Sequence, residues 1–113
     1  MEKVVERLIR YAKTHTTSDP NSETFPSTER QMTFMKMLRD ELIEIGLKEV
    51  ELDENGYVMA TIPANGNENG PVVGFISHVD TSPDFSGENV TPQIIEEYKI
   101  GRASCRERVY SNV

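Results

Sequence analysis

Apolar residues recur at helical spacing from the start of the chain. Val4, Val5, Leu8, Ile9 and Ala12 share one face and predict a helix over residues 2–14, with Glu2 and Glu6 suited to its positive N-terminal end. The next stretch, His15 to Pro26, is polar, β-branched and turn-forming, and reads as a loop with His15 as a solvated side chain. Helical spacing returns with Met32, Met35, Leu38, Leu42 and Ile45, predicting a second helix from Thr28 to Ile45. Ser27 or Thr28 can cap it, Thr28 and Gln31 have the spacing of a capping box, and Gly46 stops it.

The period then changes from 3.6 to 2. Val50 and Leu52 alternate with acidic residues, and Tyr57 to Ile62 reads as the return strand of a hairpin. The turn between them is Asp53-Glu54-Asn55-Gly56, whose Asn-Gly pair tolerates the positive φ angles of tight hairpin turns. After an exposed Pro- and Asn-rich loop comes Val72-Val73-Gly74-Phe75-Ile76, a continuous apolar run of the kind found in strands buried on both faces. The order helix, helix, hairpin, buried strand predicts an α/β fold. The sheet is expected to be incomplete, because a doubly buried strand needs neighbours and covering helices that little chain remains to supply.

Composition narrows the function. The chain has 113 residues, 36% of them hydrophobic and 27% charged, with a formal net charge of −7. An acidic balance argues against nucleic acid or an anionic membrane as the main partner, and no apolar run approaches the roughly 20 residues of a membrane-spanning helix. The charged start is unlike a secretory signal, and the single cysteine, Cys105, allows no disulfide within the chain, so a cytoplasmic location is expected. The charge is uneven. Residues 1–98 carry 8 Lys+Arg against 18 Asp+Glu, whereas residues 99–113 carry 4 against 1, which marks a boundary near position 98.

Candidate chemistry gathers where the apolar run ends, at Ser77-His78-Val79-Asp80-Thr81. Functional groups of open α/β sheets collect at that edge. Residues two apart on a strand face the same side, so His78 and Asp80 can lie side by side. A carboxylate accepting from one ring nitrogen leaves the other free to bind a metal. On spacing alone, a surface hydrogen-bond pair fits as well. The acidic run from Glu49 to Glu54 reads as a solvated hairpin face, and Met32, Met35 and Met37 as core packing. There is no P-loop, Rossmann glycine fingerprint or nucleophile elbow.

The stretch Gly74 to Asp84 resembles the zinc-dependent exopeptidase and deacylase superfamily, and within it the tripeptide aminopeptidases. Pro26-Ser27-Thr28-Glu29 with Gln31, Met59 to Asn65, and Asn89 to Ile94 agree with that branch in order and spacing. The resemblance covers residues 1–98, and its implications are specific. The fold would be the N-terminal portion of a di-zinc exopeptidase catalytic domain. His78 would be a ligand of the first of two zinc ions, and Asp80 the catalytic carboxylate that orients it. A bridging aspartate, a glutamate general base from a Glu-Glu pair, further acidic ligands and a late histidine would complete the site, and none has a counterpart here. The reaction would be release of the N-terminal residue from tripeptides by zinc-activated water. The parent would be a homodimer, and residues 1–98 alone would be inactive.

Beyond Tyr98 the resemblance ends. Lys99 to Val109 is similar instead to the translation of a sequencing-library adapter, so residues 99–113 are expected to be a non-native, disordered basic tail, the alternative being a natural tail for an anionic partner. Two other readings of the chain remain open: a different superfamily activity (dipeptidase, carboxypeptidase or deacylase), or a non-enzymatic acidic interaction module.

Overall fold

The computed structural model describes residues 3–66 and 68–96. Helix α1 runs Val4–Ala12, helix α2 Glu29–Ile45, and strands β1 (Lys48–Leu52) and β2 (Val58–Thr61) form an antiparallel hairpin. The α/β prediction holds at this level. Glu2, expected in the first helix, and the segment 99–113 lie outside the described residues.

Local chemistry explains the helix ends. The Lys3 backbone N–H donates to Glu6 Oε2 at 2.8 Å, satisfying one of the donors left over at the start of α1. At the start of α2, the Thr28 N–H donates to Gln31 Oε1 at 2.9 Å, the return half of the expected capping box. Gly46, at φ 100°, closes α2 by donating back to the Ile43 and Leu42 carbonyls.

The hairpin turn departs from expectation. Only Gly56 takes a positive φ, at 85°; Asn55 does not. The reason is Asp53, whose Oδ1 accepts the N–H of Asn55 at 3.0 Å and of Tyr57 at 2.7 Å, folding an ordinary turn that a left-handed glycine then closes. A β-carbon on Gly56 would also stand 3.3 Å from the Pro26 ring. The register pairs Lys48 with Thr61 and Leu52 with Val58, with an irregularity between Lys48 and Glu51 that accompanies the positive φ of Glu49.

Burial is thin. Phe34 (5% exposed) and Met35 (9%) are the buried apolar residues among those described. Met32 and Met37 are half-buried and Ile45 is exposed, so the α2 stripe is covered only near its first half. Helix α2 packs on both strands of the hairpin. Helix α1 buries none of its residues, and Val4, Val5 and Leu8 are exposed. It meets α2 along a polar edge instead: Glu41 accepts from Arg7, Arg10 and Tyr11, and the Tyr11 ring meets Phe34 edge-on at 5.4 Å.

The expected buried strand is the main correction. Residues 71–80 form no strand and hydrogen-bond to no neighbouring strand among the described residues, and Phe75 is 95% exposed. An apolar run of this kind becomes a buried strand only when a ladder and a covering layer meet it. The hairpin pairs with itself and supplies neither.

Candidate functional site

The end of that segment is nevertheless held. Thr17 and Thr81 form a parallel bridge, in which the Ser18 N–H donates to the Thr81 carbonyl at 3.1 Å and the Thr81 N–H to the Thr16 carbonyl at 3.3 Å. Thr16 Oγ1 donates to the Val79 carbonyl at 2.8 Å. The Thr17 and Thr81 hydroxyls lie 3.0 Å apart. The loop side of this bridge is tied to α2 by Arg30 Nε, which donates to the Thr17 carbonyl at 2.9 Å. Thr16 and Thr17 are buried, and His15 beside them is half-buried, so the start of the loop departs from the solvated stretch the sequence suggests, while residues 19–21 and 23–25 are exposed as expected. Pairing with residues 79–81 turns that start inward. The β-branched Thr-Thr pair was the available signal, since such residues favour extended, paired backbone.

With Val79 and Thr81 fixed against the loop, the alternate residues His78 and Asp80 face away from it together. His78 Nδ1 and Asp80 Oδ1 are 2.9 Å apart. An ionised carboxylate can only accept, so the neutral imidazole carries its proton on Nδ1 and leaves Nε2 as a free lone pair. The hydrogen bond to Asp80, and then its negative charge, raise the His78 pKa above its ordinary value. The His78 side chain is 85% exposed. Both residues line a cleft of about 700 Å³, together with Gln31, Met35, Tyr57 and Met59 among others.

The structure thus brings together the two residues singled out by sequence, in the geometry of a donor and its orienting carboxylate. It does not bring them a metal-binding set. Among the described residues, no group of three or more His, Cys, Asp and Glu side chains is arranged to hold an ion. His78 fits the role of a single donor, and a zinc site needs about four. The acidic hairpin residues Glu49, Glu51 and Glu54 are exposed, as expected of a solvated face. No described helix is long and apolar enough to cross a membrane.

Beyond this pair, the comparison of the whole chain with known proteins points to peptidases. The chain is 60% identical over 98 residues to a protein named peptidase T from Caldanaerobacter subterraneus subsp. tengcongensis, a match covering 87% of this chain and 24% of the relative. It is equally identical, over the same share of both chains, to peptidase T of Halothermothrix orenii. Against peptidase T of Geobacillus kaustophilus it is 54% identical over 100 residues, 88% of this chain and 24% of the relative. Over the matched residues the chain is similar to proteins named peptidase T, and it spans about a quarter of the length of the curated relatives it matches. No family model matches the chain.

Proposed function

We propose that residues 1–98 are the N-terminal portion of the catalytic domain of a di-zinc tripeptide aminopeptidase, acting in the cytoplasm as a homodimer. The observation that carries this reading is the His78–Asp80 pair at 2.9 Å, with Nε2 of His78 left free, within a sequence 60% identical to proteins named peptidase T. His78 supplies one ligand atom, Nε2. Asp80 is the catalytic carboxylate in the sense that it holds the ring proton at Nδ1 and sets the direction of that lone pair. Two bound zinc ions would supply Lewis acidity and a water of lowered pKa for attack on the peptide carbonyl. The remaining ligands and the general base would come from the part of the relatives that this chain does not span, so residues 1–98 alone are inactive. Residues 99–113 are then a non-native basic tail.

The test is a chimera in which residues 1–98 replace the corresponding part of Halothermothrix orenii peptidase T. It should release the N-terminal residue from a tripeptide in a zinc-dependent manner, and His78→Ala should abolish that release. A folded chimera with no aminopeptidase activity would overturn the proposal, as would zinc-dependent tripeptide cleavage by the 113-residue chain alone.

A further inference from the structure

The side chains that hold the His78–Asp80 segment form a small cluster of their own. Thr17 Oγ1 is buried at its centre, 3.0 Å from Thr81 Oγ1 and accepting the Gly87 N–H at 3.2 Å. Thr17 itself is 8% exposed. Thr17 and Thr81 are 64 residues apart, and Thr17 and Gly87 are 70 apart, so one hydroxyl joins the loop after α1 to two points on a distant segment. Space there is exact. A β-carbon on Gly87 would fall 2.5 Å from Thr17 Oγ1 and 2.9 Å from Thr81 Oγ1, closer than β-carbons approach oxygen, so only glycine lets the backbone reach the hydroxyl. No buried side-chain nitrogen or oxygen among the described residues lacks a partner, so the cluster is fully satisfied.

We infer that Thr17 is a positioning residue for the His78–Asp80 pair, acting through its hydroxyl contacts with Thr81 and Gly87. The segment 71–80 has no strand neighbour among the described residues, and the bonds that orient its end run to Thr16, Thr17 and Ser18. Side chains alternate along an extended backbone, so turning Thr81 inward toward Thr17 turns Asp80 and His78 outward toward the cleft. Without the Thr17 hydroxyl the backbone bonds of Thr81 to Thr16 and Ser18 remain, but the Thr81 side chain and the Gly87 backbone lose their shared anchor, and the Asp80 carboxylate is held less firmly opposite His78 Nδ1. The inference gives a purpose to this cluster that rests on the metal-ligand reading of His78, but the geometry it asserts is independent of any metal.

The experiment is therefore done on the 113-residue chain without metal. The chain has two histidines, His15 and His78, so the ring nitrogen resonances of His78 can be assigned by comparison with His78→Ala. Above its titration range, His78 should carry its proton mainly on Nδ1. Thr17→Val keeps the shape and removes the hydroxyl; it should lose that Nδ1–H preference while helical circular dichroism is unchanged. Thr17→Ser, which restores a hydroxyl, should restore it, and Thr33→Val, which removes a hydroxyl bonded only within α2, should leave it untouched. If Thr17→Val costs helix content, Gly87→Ala provides a second route, and it too should abolish the preference. A wild-type chain with no Nδ1–H preference, or a preference that survives both Thr17→Val and Gly87→Ala, would overturn the inference. A preference that survives both variants would leave the peptidase reading untouched, and that reading is decided separately, by the chimera's activity.

Discussion

The hydroxyl of Tyr11 donates to Glu41 Oε2 at 2.6 Å, across 30 residues of chain. Arg7 Nε and Arg10 Nη2 reach the other oxygen of the same carboxylate at 2.8 and 2.6 Å, and the Glu41 side chain is 12% exposed. This carboxylate is the main polar link between α1 and α2, because α1 buries no apolar residue. Glu41→Ala should therefore detach α1. The partly exposed arginines regain water, so the expected loss is modest, about 1–2 kcal/mol. Faster amide exchange in α1 than in α2 would show it; unchanged protection in α1 would contradict it.

The same link predicts a pH dependence. Burial first, then the hydrogen bond to Glu41 and its charge, push the Tyr11 phenol up to about 12 from the ordinary 10.0. A raised pKa stabilises the folded chain below the unfolded value, so this contribution is fully present below pH 10.0 and is lost as pH rises through about 12. For Glu41, desolvation acts upward, but hydrogen bonds from Tyr11, Arg10 and Arg7 outweigh it and hold the carboxyl below 4.5. Its contribution is present above 4.5 and is lost as pH falls through the lowered value. Docking of α1 should thus weaken at both extremes, and Tyr11→Phe should remove the alkaline arm. Protection of α1 amides followed against pH measures both.

Asp80→Asn in the peptidase chimera should weaken zinc binding or activity by about 10–100-fold, the usual effect of removing a carboxylate that orients a histidine ligand. Asparagine keeps the size but can present an N–H toward Nδ1, which favours the opposite tautomer. Zinc affinity by competition with a chelating dye, together with turnover of a tripeptide, measures it. Equal values in the two proteins would remove Asp80 from its proposed role.

Gly56→Ala should weaken the hairpin by about 1–2 kcal/mol, because an L-residue there must hold φ 85°. The added β-carbon would also meet Pro26 at 3.3 Å. Exchange of the Asp53 amide, bonded to the Tyr57 carbonyl at 3.1 Å, reports on the turn directly. That amide should exchange faster in the variant, with α1 unaffected.

The chain alone should unfold over a broad range without a sharp transition. Phe34 and Met35 are too little buried apolar surface among the described residues to offset the conformational entropy of ordering them. A cooperative thermal transition with well-developed near-ultraviolet circular dichroism would show that burial elsewhere supplies the difference.

Local chemistry was legible in the residues. Gln31 announces the start of α2, Gly46 its end, and Asp53 through Gly56 the hairpin turn, because each depends on bonds made within a few residues. That His78 and Asp80 could pair was legible for the same reason, because residues two apart on a strand-like backbone share a face; what holds the backbone in that form there was not. Three other features depend on contacts that a one-dimensional pattern does not contain. The Thr17–Thr81–Gly87 cluster joins residues more than 60 positions apart, and its residues look like ordinary loop residues until they meet. Glu41 is one of 19 acidic residues, and only the approach of α1 makes it a three-donor acceptor. The run from Val72 to Ile76 carries the composition of a buried strand, but burial is a property of what surrounds it. The two helices, the hairpin and the candidate His78–Asp80 pair could thus be read from local pattern alone. What holds that pair in place, and the absence of any strand partner or cover for the apolar run beside it among the described residues, depend on distant contacts that local pattern does not contain.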